Sequence, residues 1–100
     1  MSKSGMRPVH PGEILRDELE ELEMSAKAFA AALHVPGNRI TAILKGQRGV
    51  TADTALRLSR YLGTSAEFWL NLQKTFELRV VEIEGGEDID KQIRPRSVAM

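Results

Sequence analysis

Apolar side chains recur every three or four positions along most of this chain, and the interruptions fall at Pro, Gly, Ser and Thr. From Ser25 to Gly46, SAKAFAAALHVPGNRITAILKG, that pattern predicts two short helices joined by a tight turn. Ala26, Phe29, Ala30 and Leu33 share one face of the first helix, and the Ser25 hydroxyl is placed to cap it. Pro36 disfavours helical backbone at Val35 and Gly37 is a poor interior helix residue, so the first helix should stop at Leu33. The second should begin at Gly37 or Asn38 and turn Ile40, Ile43 and Leu44 inward. Asn38, Arg39, Thr41, Ala42 and Lys45 are left on its outer face, and Gly46 provides a stop.

The same reading extends in both directions. Residues 1–9 have no period and read as a flexible arm. His10-Pro11-Gly12-Glu13 opens a helix, with Pro11 at the first helical position and Glu13 at the positive end of the helix dipole. Ile14, Leu15, Leu19 and Leu22 form its inward stripe, and the acidic residues between them a solvated face. Thr51 caps a fourth helix with Ala55, Leu56, Leu58 and Leu62 as apolar positions and Gly63 as its end. Thr64 and Glu67, three apart, read as a capping box for the longest stretch, whose inward stripe is Phe68, Trp69, Leu72, Phe76, Val80 and Ile83.

Leu70, Leu78 and Val81 fall on another side of that last helix, a second apolar face suited to a dimer or another partner. The alternation from Arg79 to Ile83 also fits a strand. Gly85-Gly86 should break the helix and leave residues 85–100 as a mixed-charge tail, in which Ile89 and Ile93 allow one helical turn. The expected architecture is therefore all-α, with five helices: a domain over residues 10–84 between an arm and a tail.

Two helices, a short turn and an outer face of Asn, Arg, Thr and Lys make a helix-turn-helix, whose second helix enters the major groove of DNA. The residue types suit that task. Asn38 can pair with an adenine edge and Arg39 with guanine, while Thr41 and Ala42 offer methyl groups to thymine. Gln47 and Arg48, just beyond the reading helix, are placed for backbone phosphates. An ordinary helical hairpin with a wetted polar face has the same period, so the pattern leaves that alternative open.

Charge sharpens the choice. The formal net charge is 0, which argues against a nucleic-acid partner. Its distribution argues for one, since Lys27, Arg39, Lys45, Arg48, Arg57 and Arg60 face Asp53 alone between Ser25 and Arg60. The opposite holds from Pro11 to Met24, where Glu13, Asp17, Glu18, Glu20, Glu21 and Glu23 face only Arg16. One hundred residues with 42% hydrophobic content suffice for one core. The chain has no cysteine, so disulfides and thiolate metal sites are excluded. His10 and His34 have no nucleophile, glycine-rich phosphate loop or metal-ligand spacing beside them, so no catalytic residue, metal or cofactor is expected. Without a membrane span or leader pattern, the default location is cytoplasmic. The competing function is an adaptor in which the acidic first helix or the last helix binds a protein and DNA is ignored.

Three strings carry a resemblance: HPGEIL at His10 to Leu15, VPGNRITAILKGQRGVTADTALRL at Val35 to Leu58, and GTSAEFWLNLQ at Gly63 to Gln73. Together they resemble the HigA family of antitoxins, a branch of the phage-repressor-like helix-turn-helix proteins, over the span from Arg7 to about Arg79. The resemblance implies a five-helix repressor-like fold, a homodimer and repression of the protein's own operon. It also implies neutralisation of a HigB-type toxin, a small ribosome-dependent ribonuclease; a stand-alone transcriptional regulator is the alternative. Carried onto this sequence, it makes Asn38, Arg39, Thr41 and Lys45 DNA contacts within a reading helix over 37–45. Lys27, Gln47 and Arg48 become backbone contacts. His34 stands at the turn position where such repressors usually carry glycine, so its backbone must take a positive φ.

Overall fold

Four of the five helices begin on a side chain that accepts a hydrogen bond from the otherwise unpaired N–H groups of the first turn, which fixes where each one starts. A computed structural model describes residues 7–97; the remainder of the expected arm, residues 1–6, lies outside the described residues, as do residues 98–100. The elements are α1 (Pro11–Leu22), α2 (Ala26–Leu33), α3 (Gly37–Leu44), α4 (Ala52–Leu62) and α5 (Ala66–Gln92), with no strand among the described residues. Ser25 Oγ accepts from the Ala28 N–H at 3.1 Å and Thr51 Oγ1 from the Thr54 N–H at 3.4 Å. On α1 the cap is His10, whose Nδ1 accepts from the Gly12 N–H at 2.9 Å while the Glu13 carboxylate accepts from the His10 N–H at 3.2 Å. Only α3 starts without such a bond, behind Pro36.

The cap of α5 lies one residue later than Thr64. Ser65 has the extended backbone that precedes a helix and its Oγ accepts from the Phe68 N–H at 3.0 Å, so Glu67 is too near to complete a capping box. The Thr64 hydroxyl instead accepts from the indole N–H of buried Trp69 at 2.8 Å. A buried indole needs that acceptor, and the demand outweighs the local capping pattern.

Leu15, Leu19, Phe29, Ala30, Leu33, Ile40, Ile43, Val50, Ala55, Leu58 and Trp69 form one core, to which every helix contributes. Two glycines let its layers approach. A Cβ on Gly12 would fall on the Ile43 carbonyl oxygen, so α1 crosses α3 at backbone distance. A Cβ on Gly49 would lie 2.7 Å from the amide of Gln73, a buried side chain whose Oε1 accepts from the Val50 N–H at 2.8 Å. Arg16 adds to the crossing of α1 and α3, donating to the Leu44 carbonyl at 3.0 Å.

Several expected core positions are exposed. Leu22 closes α1 just before the left-handed Glu23, and Leu56 lies on the side of α4 away from Ala55 and Leu58, in an open groove with Ala32 and Tyr61. Phe68 sits at the first turn of α5, with its ring edge-on to Trp69, and Ile83 lies past the last helix that α5 packs against. The anticipated break at Gly85-Gly86 does not occur: α5 continues to Gln92, and the segment from Arg79 to Ile83 is helix, not strand. Two interior glycines cost a helix only about 1 kcal/mol each, and the rest of the segment favours it. At about 1.5 Å per residue the 27 residues of α5 span roughly 40 Å, so the molecule measures 54 × 25 × 21 Å. Leu70 packs partly against the core, whereas Leu78 and Val81 are exposed, so the second apolar face narrows to the distal half.

Candidate nucleic-acid interface

The angle between α2 and α3 is set by one residue. His34 lies in the left-handed region at φ 60°, ψ 46°, as its place in the turn required. Its N–H bonds the Ala31 carbonyl at 3.1 Å and the Val35 N–H bonds the Ala30 carbonyl at 3.0 Å, the pair of bonds that closes a helix through a left-handed residue. Placing histidine rather than glycine there costs about 1 kcal/mol. A second device offsets it: Arg57 Nη1, reaching across from α4, donates to the Leu33 carbonyl at 2.9 Å and the His34 carbonyl at 3.4 Å. These are carbonyls that the end of α2 leaves unpaired.

Beyond the turn, Ile40 and Ile43 anchor α3 in the core with no exposure. That fixes its outer face: Asn38, Thr41 and Lys45 are exposed and Ala42 is half-buried. The Thr41 hydroxyl is turned back onto the carbonyls of Gly37 and Asn38, at 3.4 and 3.3 Å. Arg39 is half-buried and reaches sideways, its Nη1 donating to Asp53 Oδ2 at 2.7 Å. The same oxygen accepts from Arg57 Nε at 2.9 Å, and the two guanidinium groups, Arg57 foremost, hold the Asp53 carboxyl below the usual carboxylate range.

Gln47 and Arg48 are exposed on the loop that follows. Gly46 at φ 75° starts it, the Gln47 N–H bonds the Ala42 carbonyl at 2.9 Å, and Gln73 holds its far end through Val50. Beneath it lies His10, buried and packed edge-on against Phe76 with ring centres 4.8 Å apart. Burial pushes the His10 pKa down, against a weaker upward pull from Glu13. Lys27 is exposed on the first turn of α2.

Periodicity did not reveal the residues that hold this surface: His10, Asp53, Arg57 and Gln73. Only the spacing of His10 and Glu13, three apart ahead of an apolar run, carried a local sign of a cap. Among the described residues no group of three or more His, Cys, Asp or Glu is placed to hold a metal, and no helix is long and apolar enough to cross a membrane.

A reading helix held by its apolar face, with a left-handed turn before it and an exposed polar loop after it, defines a helix-turn-helix protein, and the helix-turn-helix family matches residues 15–69. Antitoxin HigA-1 of Vibrio cholerae is 41% identical over 80 residues, which cover 78% of this chain and 74% of that protein. The structure of the Pseudomonas aeruginosa antitoxin HigA with the higBA promoter superposes with a TM-score of 0.88 at 47% identity, covering 91% of this chain and 100% of that one. Antitoxin GraA in complex with its operator gives 0.89 at 50% identity, covering 99% and 100%. The chain belongs to the HigA antitoxins of the helix-turn-helix family.

Proposed function

We propose that this protein is a DNA-binding antitoxin that represses its own operon as a homodimer and neutralises a HigB-type ribonuclease toxin in the cytoplasm. It is a binding protein in this reading, with no catalytic group or cofactor. The observation that carries the DNA half is the outer face of α3, where Asn38, Thr41 and Lys45 stand exposed while Ile40 and Ile43 lock the helix from behind. On it Asn38, Arg39, Thr41, Ala42 and Lys45 read bases, and Lys27, Gln47 and Arg48 hold phosphates. Leu78 and Val81 on the distal half of α5 supply the apolar surface for the second copy, with Leu70 at its base. Two-fold symmetry then places two half-sites about 34–36 Å apart, or a multiple of that. The HigA structure with the higBA promoter and the GraA complex with its operator support this reading.

The test is an electrophoretic shift on the DNA upstream of the protein's own gene, at two salt concentrations and against unrelated competitor. A specific shift that weakens as salt rises is expected, because phosphate contacts release bound counterions. No shift at either salt overturns the assignment of α3 and favours the adaptor.

A further inference from the structure

Arg39, Asp53 and Arg57 form a chain of contacts joining α3, α4 and the end of α2. Its members are not equally free. Arg57 is fixed at both ends, by the Leu33 and His34 carbonyls and by Asp53, so the Asp53 carboxylate is a preorganised acceptor. Arg39 enters from the first turn of the reading helix with its side chain only 22% exposed, and its buried Nε has no hydrogen-bond partner. A buried N–H left unpaired is costly, and a new acceptor recovers that cost. The arginine best placed to enter a DNA groove is thus held back on a carboxylate that does not fully satisfy it.

We infer that Asp53 is a resident competitor for Arg39, making it a specificity-determining residue: DNA captures Arg39 only where it offers a better acceptor than the carboxylate. A guanine edge, with two acceptors matched to a guanidinium fork, meets that condition. A mismatched base edge leaves Arg39 with Asp53, and that site then binds with one cation fewer. The inference rests on α3 being the reading helix.

The experiment measures wild type, Asp53→Asn and Asp53→Ser on the upstream duplex and on a scrambled duplex of the same composition, over a salt series. Circular dichroism melting reports whether each variant folds; serine, also uncharged but shorter, guards against a defect peculiar to asparagine. Both variants should bind the scrambled duplex about three- to fivefold more tightly, the range set by an exposed ion pair. The salt slope on that duplex should steepen by about one phosphate contact, and the ratio of upstream to scrambled affinity should fall. In an Arg39→Ala background the same substitutions should give no gain. An unchanged ratio, a loss confined to the upstream duplex, or a gain that persists without Arg39 overturns the competitor role alone, the second making Asp53 a brace and the third a matter of long-range charge. Wild type that retains neither duplex at low salt overturns the reading-helix assignment and this inference with it.

Discussion

Between Ala66 and Glu77, α5 buries Trp69 and Gln73, rests Leu70 and Leu72 against the core and sets Phe76 against the His10 ring; between Leu78 and Gln92 the same helix fully buries nothing. The two halves do not differ much in raw material. The first carries Phe68, Trp69, Leu70, Leu72 and Phe76 beyond its leading alanine, the second Leu78, Val80, Val81, Ile83 and Ile89. They differ in neighbours: α1 and α4 flank the first half, and the second projects beyond them. Periodicity states which residues of a helix can be buried together. Whether they are buried is decided by what the rest of the chain brings alongside.

The largest test of that contrast is a pair of truncations. Trp69→Ala removes a fully enclosed side chain and leaves Thr64 without its donor, and should cost about 3–5 kcal/mol in urea unfolding. Leu78→Ala, at a position 62% exposed, should change stability by no more than about 0.5 kcal/mol at concentrations where the protein is a monomer. Comparable losses would show that the distal half is part of the same cooperative core. Next in size is Gly12→Ala, whose methyl would fall on the Ile43 carbonyl and lie 3.1 Å from His10 Nδ1; moving α1 off α3 should cost about 1–3 kcal/mol. If Gly12→Ala melts with wild type, the close approach of the two helices is not a constraint.

How far the sequence disclosed this molecule follows the same division. Leu15, Leu19, Phe29, Leu33, Ile40, Ile43 and Leu58 were legible because each repeats at helical spacing within its own element, and the caps at Ser25 and Thr51 because capping is local. The left-handed His34 was legible only through the resemblance, which put it at a turn position usually held by glycine. What lies across the chain was not. Arg39 and Asp53 are 14 residues apart, Arg57 and Leu33 are 24, and Val50 and Gln73 are 23, and no pattern within one helix connects them. So the outer face of α3 could be read, while the grip on Arg39 that shapes it could not. Thr64 and Ser65 show the limit at its smallest: two adjacent hydroxyls, of which the tertiary demand of Trp69 claims one and the helix the other.

The junction of the first half of α5 with the start of the chain is sensitive to acid. His10 Nδ1 must be unprotonated to accept from the Gly12 N–H, and burial lowers its pKa from the ordinary 6.5. A depressed folded-state pKa gives stability that is complete above the unfolded value and lost as pH falls through the folded one. Melting temperature should therefore begin to fall below about pH 6.5, a change worth about 1 kcal/mol, the size of a helix cap. His10→Asn, which keeps a capping acceptor, should abolish that first decline. Glu13 adds a second. Hydrogen bonds from Arg7, and then from the His10 backbone, lower its carboxyl from 4.5 to about 2, so its contribution is full above 4.5 and disappears as pH falls through 2. The group is exposed and screened, so Glu13→Gln should cost only a few tenths of a kcal/mol at neutral pH. A melting profile flat from pH 7 to 5 would contradict the buried neutral histidine.

The smallest expected effect is the sharpest test of the distal half. A Cβ on Gly85 meets nothing within 4 Å, and one on Gly86 meets only the Glu82 Cβ at 3.9 Å, in contrast to Gly12 and Gly49. Both residues lie inside α5, where alanine is favoured over glycine by about 1 kcal/mol per residue. In a helix coupled to the core, that gain would raise global stability in full. Here the distal half opens without exposing the core, so the gain should be spent locally, in less fraying between Glu84 and Gln92. Gly85→Ala with Gly86→Ala should thus slow amide exchange in that segment severalfold and leave the urea midpoint of the whole protein nearly unmoved at low concentration. A midpoint shift of the full size would mean that the distal turns unfold together with Trp69. A shift that grows with protein concentration would mean that the distal half gains its neighbours from a second copy.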